Sequence, residues 1–281
     1  MKRLRGGIEQ VLSFFERQGG RLVPKALAVS PWTPNKLSGT GICGLLAREL
    51  ETHCPPGFVP ARLTVDLYQP VDNADFVIRS TVIRRGSRIA VADAALLQQG
   101  QPRVRASAVF LTTGEEPAGT VWSPDADLPM PPAGCMSPEG SPPLFKSGDG
   151  EWSAEFADHQ NAERKAAWQS LPPLVAGEPI TAFQRAAILG DSVNHLCHWG
   201  SAGAGYINAD VTLTLSRLPV GYEQGLRAEN TIASDGISIG TATLYDRHGP
   251  VGTCVVTTLS NARRQIDFAA TSSAELAGTS D

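Results

Sequence analysis

The chain has 281 residues, 42% of them hydrophobic, and a formal net charge of −4; it is long enough for one large or two modest cores and offers no broad basic face for nucleic acid. Five cysteines (Cys43, Cys54, Cys135, Cys197 and Cys254) are odd in number and form no C-x-x-C pair, which argues against a disulfide framework or a structural zinc site and for a reducing, cytoplasmic setting. The opening "MKRLRGGIEQVLSFFERQ" starts basic, but Glu9, Gln10 and Glu16 break its apolar run before it takes on signal-peptide character. No run reaches the ~18 apolar residues of a membrane span.

The next organised stretch, "KLSGTGICGLLAREL", holds Gly39, Gly41 and Gly44 at G-x-G-x-x-G spacing. A dinucleotide fold would place a buried strand before them. Here "AVSPWTPNK" precedes them, with Pro31 and Pro34 lacking the N–H that a central strand needs. Downstream, Asp66 is the polar partner in the alternating "LTVDL". The spacing instead predicts a helix with Ile42, Leu45, Leu46 and Leu50 on one stripe and Ser38 as N-cap, the glycines letting the start of the helix approach a sheet closely. Strand-like segments follow: "ARLTVDLYQP", "DFVIRSTVIRR", "RIAVADAALLQQ" and "RVRASAVFLTT". Residues 114–150, rich in Pro, Gly and Ser, read as a connection between an N-terminal domain (1–113) and a C-terminal one (151–281).

The second half repeats the order. Thr181 and Gln184 form a T-x-x-Q capping box before the helix "AFQRAAILGDSVNHL". Then come "YINADVTLTLSR", "GLRAENTIAS", "GISIGTATLYDR" and "VGTCVVTTLSNAR", each alternating apolar with polar or small residues. Polar alternate positions imply antiparallel strands with one face buried, and each half has one helix to cover that face. This predicts an α+β fold, a double hotdog in which two antiparallel sheets each wrap a central helix, the halves packed sheet beside sheet as a pseudo-dimer. Exposed sheet edges would favour further association into a homodimer or higher homo-oligomer.

The segment "SPWTPNKLSGTGICGLLAREL" resembles G-P-W-x-P-x-x-x-H-G-G-x-x-x-x-L-L-A-R, a segment of the double-hotdog acyl-CoA thioesterase family, with Trp32, Pro34, Gly39, Leu45, Leu46, Ala47 and Arg48 fitting. Ser38 stands where relatives often have histidine, and Thr40 where they have a second glycine. "YINADVTLTLSRLPVG" and "SIGTATLYDRHGPVG" resemble the family's F-L-N-x-D-L-T-x-x-L-x-R-x-P strand and its L-Y-D-x-x-G-P-V-G hairpin. The resemblance implies hydrolysis of an acyl-CoA or acyl-carrier thioester without a cofactor, by a water held on an aspartate, a threonine or asparagine, and a glutamine. These carry over to Asp191, Asn208 and, by the hairpin match, Val256, whose side chain makes no hydrogen bond. A third polar group would then come from elsewhere, with Asn194 and His195 on the same helix as candidates.

Asp191 stands out without the resemblance. It sits on a helical stripe with Ala187 and His195, and a carboxylate on a core-facing stripe is costly unless hydrogen-bonded, which raises its pKa toward general-base range; the alternative is a solvated aspartate at a helix end. Ser38, Gly39, Thr40 and Gly41 are candidate substrate-binding residues, their helix start supplying oxyanion donors. Arg84, Arg85 and Arg88 in "RRGSR" are candidates for coenzyme A phosphates. His195, Cys197 and His198 lack a second cluster to complete a metal shell. Two other functions compete with hydrolysis. "GDSVNHLCH" resembles the G-D-x-N-P-x-H hydratase motif, with displaced Asn and His and no proline, which suggests an enoyl or β-hydroxyacyl thioester hydratase or dehydratase. The Val256 and Ser38 departures suggest a non-catalytic acyl-thioester-binding protein.

Overall fold

The computed structural model describes residues 12–30, 33, 35–123 and 127–269; Pro31, Trp32 and Pro34, and the start of the chain through residue 11, lie outside them. A hairpin comes first, β1 (Phe15–Gln18) and β2 (Arg21–Pro24), followed by the predicted helix α1 (Gly39–Glu51). Four strands follow: β3 (Phe58–Leu67), β4 (Val77–Arg85), β5 (Ile89–Gln98) and β6 (Gln101–Thr112). The second half contains β7 (Leu144–Ser147), β8 (Lys165–Ser170), α2 (Ala182–His198), the two-residue β9 (Trp199–Gly200) and β10 (Gly203–Ala204), β11 (Tyr206–Asn208), β12 (Asp210–Leu215), β13 (Glu223–Ser234), β14 (Ile237–Asp246) and β15 (Gly249–Ser260).

The main strands form one antiparallel sheet in the order β4-β5-β6-β3-β12-β15-β14-β13-β8-β7, with β11 also on β15. The seam between the halves is β3 against β12, in register from Asp210 opposite Asp66 to Thr214 opposite Arg62. The strands alternate as the sequence predicts: on β5 every second residue from Ala90 to Gln98 is buried. Both helices lie on the buried face, in one core with Leu46, Leu50, Leu63, Phe110, Ile188, Leu189, Leu213 and Val256. This is the double hotdog.

Ser38 caps α1 and Thr181 caps α2, their hydroxyls accepting from Gly41 N–H (3.3 Å) and Gln184 N–H (3.1 Å). The capping box is only half formed. The Gln184 side chain donates instead to Glu51 at the end of α1 (3.1 Å), as does the Thr181 hydroxyl (2.9 Å). "YINADVTLTLSR" is two strands rather than one. Between them the Ala209 N–H bonds Thr257 O, and Asp210 Oδ1 takes the Thr257 N–H at 2.7 Å, a kink that breaks the ladder.

The 114–150 segment does more than connect. Its last residues form β7, paired with β8 at the edge of the sheet, and its middle is strapped across the second half. Arg227 donates to Asp127 O (2.7 Å), Tyr245 to Pro129 O (2.6 Å), Arg247 to Pro131 O and Pro132 O (3.0 and 3.1 Å), and Ser170 to Ser137 O (2.6 Å). Leu128 and Met136 pack there on Trp168 and Tyr245, both fully buried. Sequence periodicity misses this because prolines lack N–H groups, so between Asp127 and Ser137 the strap is held by side chains donating to its carbonyls, and Ser141 answers with its own N–H, to Ser170 O. Tyr245→Phe leaves Pro129 O without its donor, and we expect it to cost about 1–2 kcal/mol, measured by urea unfolding, with faster proteolytic cutting between residues 127 and 140.

Candidate active site

The helices run antiparallel, and three contacts set their register. The end of α1 meets the start of α2 through Glu51, Thr181 and Gln184. At mid-helix Gly44 faces Ile188, and a methyl group on Gly44 would lie 2.8 Å from Ile188 Cγ1 and Leu174 Cδ1. The start of α1 meets the middle of α2, where a methyl group on Gly39 would lie 2.6 Å from Asp191 Cγ. Gly41, next along, faces the Phe15 ring at ordinary contact distance. The glycine spacing therefore serves close approach, but to the second helix rather than to the sheet that the sequence suggested, and at Gly39 what it approaches is a carboxylate.

Asp191 is buried and accepts a hydrogen bond from Asn208 Nδ2 at 2.9 Å, so the structure brings these two sequence candidates together. The kink after β11 turns Asn208 inward, and its Nδ2 also reaches Asp210 O (3.4 Å). Burial pushes the Asp191 carboxyl up to about 6, while the Asn208 bond pulls the other way. Two thiols, Cys43 on α1 and Cys254 on β15, flank it; burial first, and then the Asp191 charge, raise both, so they stay neutral. Cys254 Sγ donates to Gly190 O at 3.4 Å.

Opposite the carboxylate is the N-terminus of α1. A helix start leaves its first N–H groups without intrahelical acceptors and carries a partial positive charge. The Ser38 hydroxyl takes the Gly41 N–H and pairs with Thr40 Oγ1 at 2.9 Å, which fixes the turn that presents Gly39 and Thr40. A carboxylate able to hold a water and backbone donors able to hold an oxyanion thus face each other across one contact.

Val256 is buried and faces inward on β15, opposite Gly240. The residue opposite Asn208 is Thr258, two positions on and on the same face; it is buried, and its hydroxyl donates to Ser238 O at 3.0 Å. Sequence matching along the hairpin does not show this pairing, because the register on β15 shifts by one residue at the break between β11 and β12. Asn194 lies on the polar stripe, donating to Tyr206 O at 3.2 Å. His195 lies off it, beside Phe268 with centroids 6.3 Å apart, and burial, with the neighbouring His198, lowers it to about 4. Burial pushes the Cys197 thiol up to about 12, the reverse of an activated nucleophile. Arg84, Arg85 and Arg88 sit at the β4–β5 turn on the outermost strand, with β5, β6 and β3 between β4 and the seam, away from Asp191. Among the described residues no group of three His, Cys, Asp or Glu is placed to hold a metal, and no helix is long and apolar enough to cross a membrane.

Two family models match the chain, the acyl-CoA thioesterase N-terminal domain over residues 28–111 and the acyl-CoA thioesterase C-terminal domain over residues 124–259. The chain belongs to the acyl-CoA thioesterase family. Similar solved structures include a TesB protein of Mycobacterium avium subspecies paratuberculosis, 14% identical, with a TM-score of 0.63 over 88% of this chain and 95% of that one. An acyl-CoA thioesterase II of Mycobacterium marinum is 15% identical, with a TM-score of 0.56 over 79% and 88%. A hot dog protein of Alicyclobacillus acidocaldarius is 16% identical, with a TM-score of 0.60 over 87% and 94%. At these identities the likeness is one of fold. No curated protein matches the chain at a significant level of sequence similarity.

A carboxyl raised from 3.8 to about 6 by folding favours the protonated acid in the native state, so its ionisation costs stability as the pH rises from about 4 through about 6. Asp191→Asn never ionises. It is expected to raise the unfolding temperature at neutral pH and to lose that advantage near pH 4, as read by calorimetry.

Proposed function

We propose that this family member hydrolyses an acyl-CoA or a related acyl thioester, with Asp191 as general base and the N-terminus of α1 as oxyanion site. The observation that carries this reading is the contact of Asp191, bonded to Asn208, with Gly39. A water hydrogen-bonded to Asp191 attacks the thioester carbonyl carbon, and its proton passes to the carboxylate. The carbonyl oxygen takes up the negative charge next to the Gly39 and Thr40 N–H groups. When the tetrahedral intermediate collapses, the C–S bond breaks and the thiolate leaves with the proton held by Asp191, giving a carboxylic acid and a thiol. A pKa near 6 keeps the base ionised at neutral pH while leaving it a useful proton affinity. Thr258, opposite Asn208, supplies the third polar side chain in place of Val256. With its cysteines free, we place the enzyme in the cytoplasm, and the unpaired outer edge of β4 favours a homodimer, which light scattering tests.

The deciding experiment is thiol release from acyl-CoAs of graded chain length, with enoyl-CoA hydration run in parallel. Asp191→Asn should lower the thioesterase rate roughly 10²-fold or more. The wild-type rate should fall below a pH of about 6 as Asp191 gains its proton. Hydration without thiol release would assign a hydratase instead, and acyl-CoA binding without either reaction would assign a carrier. Gly39→Ala drives a methyl group into the Asp191 carboxylate and is expected to cost about tenfold or more in rate, by misplacing the base. Thr258→Val should cost more rate than Val256→Ile.

A further inference from the structure

The polar stripe on α2 continues past the groups assigned to the reaction. Asp191, Asn194 and His198 fall at i, i+3 and i+7, on one face of the helix. The His198 ring lies 3.0 Å from Asn194 O and 3.1 Å from Asn194 Oδ1 through Nδ1, and 2.9 Å from Ser238 Oγ through Nε2. Both Asn194 atoms are acceptors, so Nδ1 carries the hydrogen, and Nε2 shares the single serine hydroxyl hydrogen with Ile232 O, which that hydroxyl also reaches. A Ser–His–Asn chain has the form of a nucleophile relay, but Ser238 is wholly buried in β14 and its oxygen also reaches Ile232 O at 3.2 Å. Its geometry fits holding better than attacking.

What it holds is the strand that carries Asn208. β11 is three residues long and has one strand neighbour, β15. Besides Asn208 itself, it is tied to the helix by the Asn194 Nδ2 bond to Tyr206 O, and the His198 ring lies against the Tyr206 ring with centroids 5.0 Å apart. With Oδ1 turned to the histidine, Asn194 must turn its NH₂ to Tyr206. A flipped amide would set oxygen against oxygen there. Two residues further along, Asn208 reaches Asp191. We propose that His198, fixed by Ser238 and acting through Asn194 and Tyr206, is a positioning residue that sets the Asn208–Asp191 hydrogen bond. The inference rests on the reading of Asp191 as the base, but the bond it concerns exists whatever the reaction. The groups facing Asp191 are Asn208 from β11, Gly39 and Cys43 from α1, and Cys254 from β15; those nearest His198 are Asn194 and His195 from its own helix, Ser238 from β14 and Tyr206 from β11.

The test uses the full chain, with the Asp191 carboxyl titrated by carbon-13 NMR and with kcat and KM measured on an acyl-CoA. Because the Asn208 bond lowers the Asp191 pKa, loosening it should raise that pKa. His198→Leu and Asn194→Leu are expected to move the carboxyl titration up by about one unit, equivalent to a tenfold change in equilibrium. They should lower kcat about tenfold with KM within about twofold, the sign of a misplaced base rather than lost substrate contacts. His198→Gln, which can still donate to Asn194, should recover most of both. If His198→Leu fails to fold, Asn194→Leu and Ser238→Ala carry the same readouts. An unmoved titration in folded His198→Leu or Asn194→Leu protein overturns the positioning role. When Asp191→Asn abolishes hydrolysis but the titration stays unmoved, the positioning role alone falls. When Asp191→Asn keeps full activity, the base assignment falls, and the titration still decides whether His198 governs the bond.

Discussion

Everything at this site depends on how closely two helices pack. α1 comes from the first half and α2 from the second, and they touch through Gly44 and Ile188 at mid-length and through Gly39 and Asp191 where α1 begins. A single methyl group at either glycine fills the space that the opposite side chain occupies. Because α1 has 13 residues and α2 has 17, α1 starts partway along α2, and its backbone donors face the tenth residue of the longer helix. An acidic residue there meets the positive end of a helix, yet it pays a desolvation cost that leaves its proton affinity well above that of a surface aspartate. Two opposing effects, burial and the Asn208 hydrogen bond, thus fix the chemistry of one carboxyl group.

The sheet determines the second partner. Asn208 points at Asp191 only because the strand carrying it breaks at Ala209, where Asp210 satisfies the Thr257 N–H that the ladder leaves open. A straight strand through "YINADVTLTL" would keep its inward and outward positions in strict alternation. The kink resets that alternation, so that Asn208 and Val211 both end on the buried side of adjoining segments.

Much of this was legible in the residues. Helix caps at Ser38 and Thr181, the alternating strands and the duplicated order follow from local rules, and so does the suspicion that attaches to a lone aspartate in "AAILGDSVN". What escaped has physical reasons. β8 is buried along nearly its whole length, so it has no alternation to read. β7 and the strap lie among prolines, whose bonding is through carbonyls. The placement of Thr258 opposite Asn208 depends on the break at Ala209, which moves the pairing on β15 by one residue. Ser238 and His198 are far apart in the chain, and their meeting follows only from the way β14 crosses the end of α2.

The antiparallel helix pair has two ends of the same kind, and the chain treats them differently. The tenth residue of α2 is Asp191; the tenth residue of α1 is Arg48. Where the carboxylate meets the bare start of α1, Arg48 bonds Glu178 just ahead of α2, with Arg17 on the same glutamate, and Glu51 ties down the cap itself. A true dimer of identical halves would have to carry the same residue at both ends, and so either two open sites or two closed ones. Joining the halves in one polypeptide frees each end to specialise: one end is cross-braced by ion pairs and locks the crossing of the helices, and the braced end leaves the other free to hold a costly buried acid with no ion-pair partner, kept by the Asn208 hydrogen bond. On the reading proposed for Asp191, each chain therefore carries one site at this helix pair rather than two.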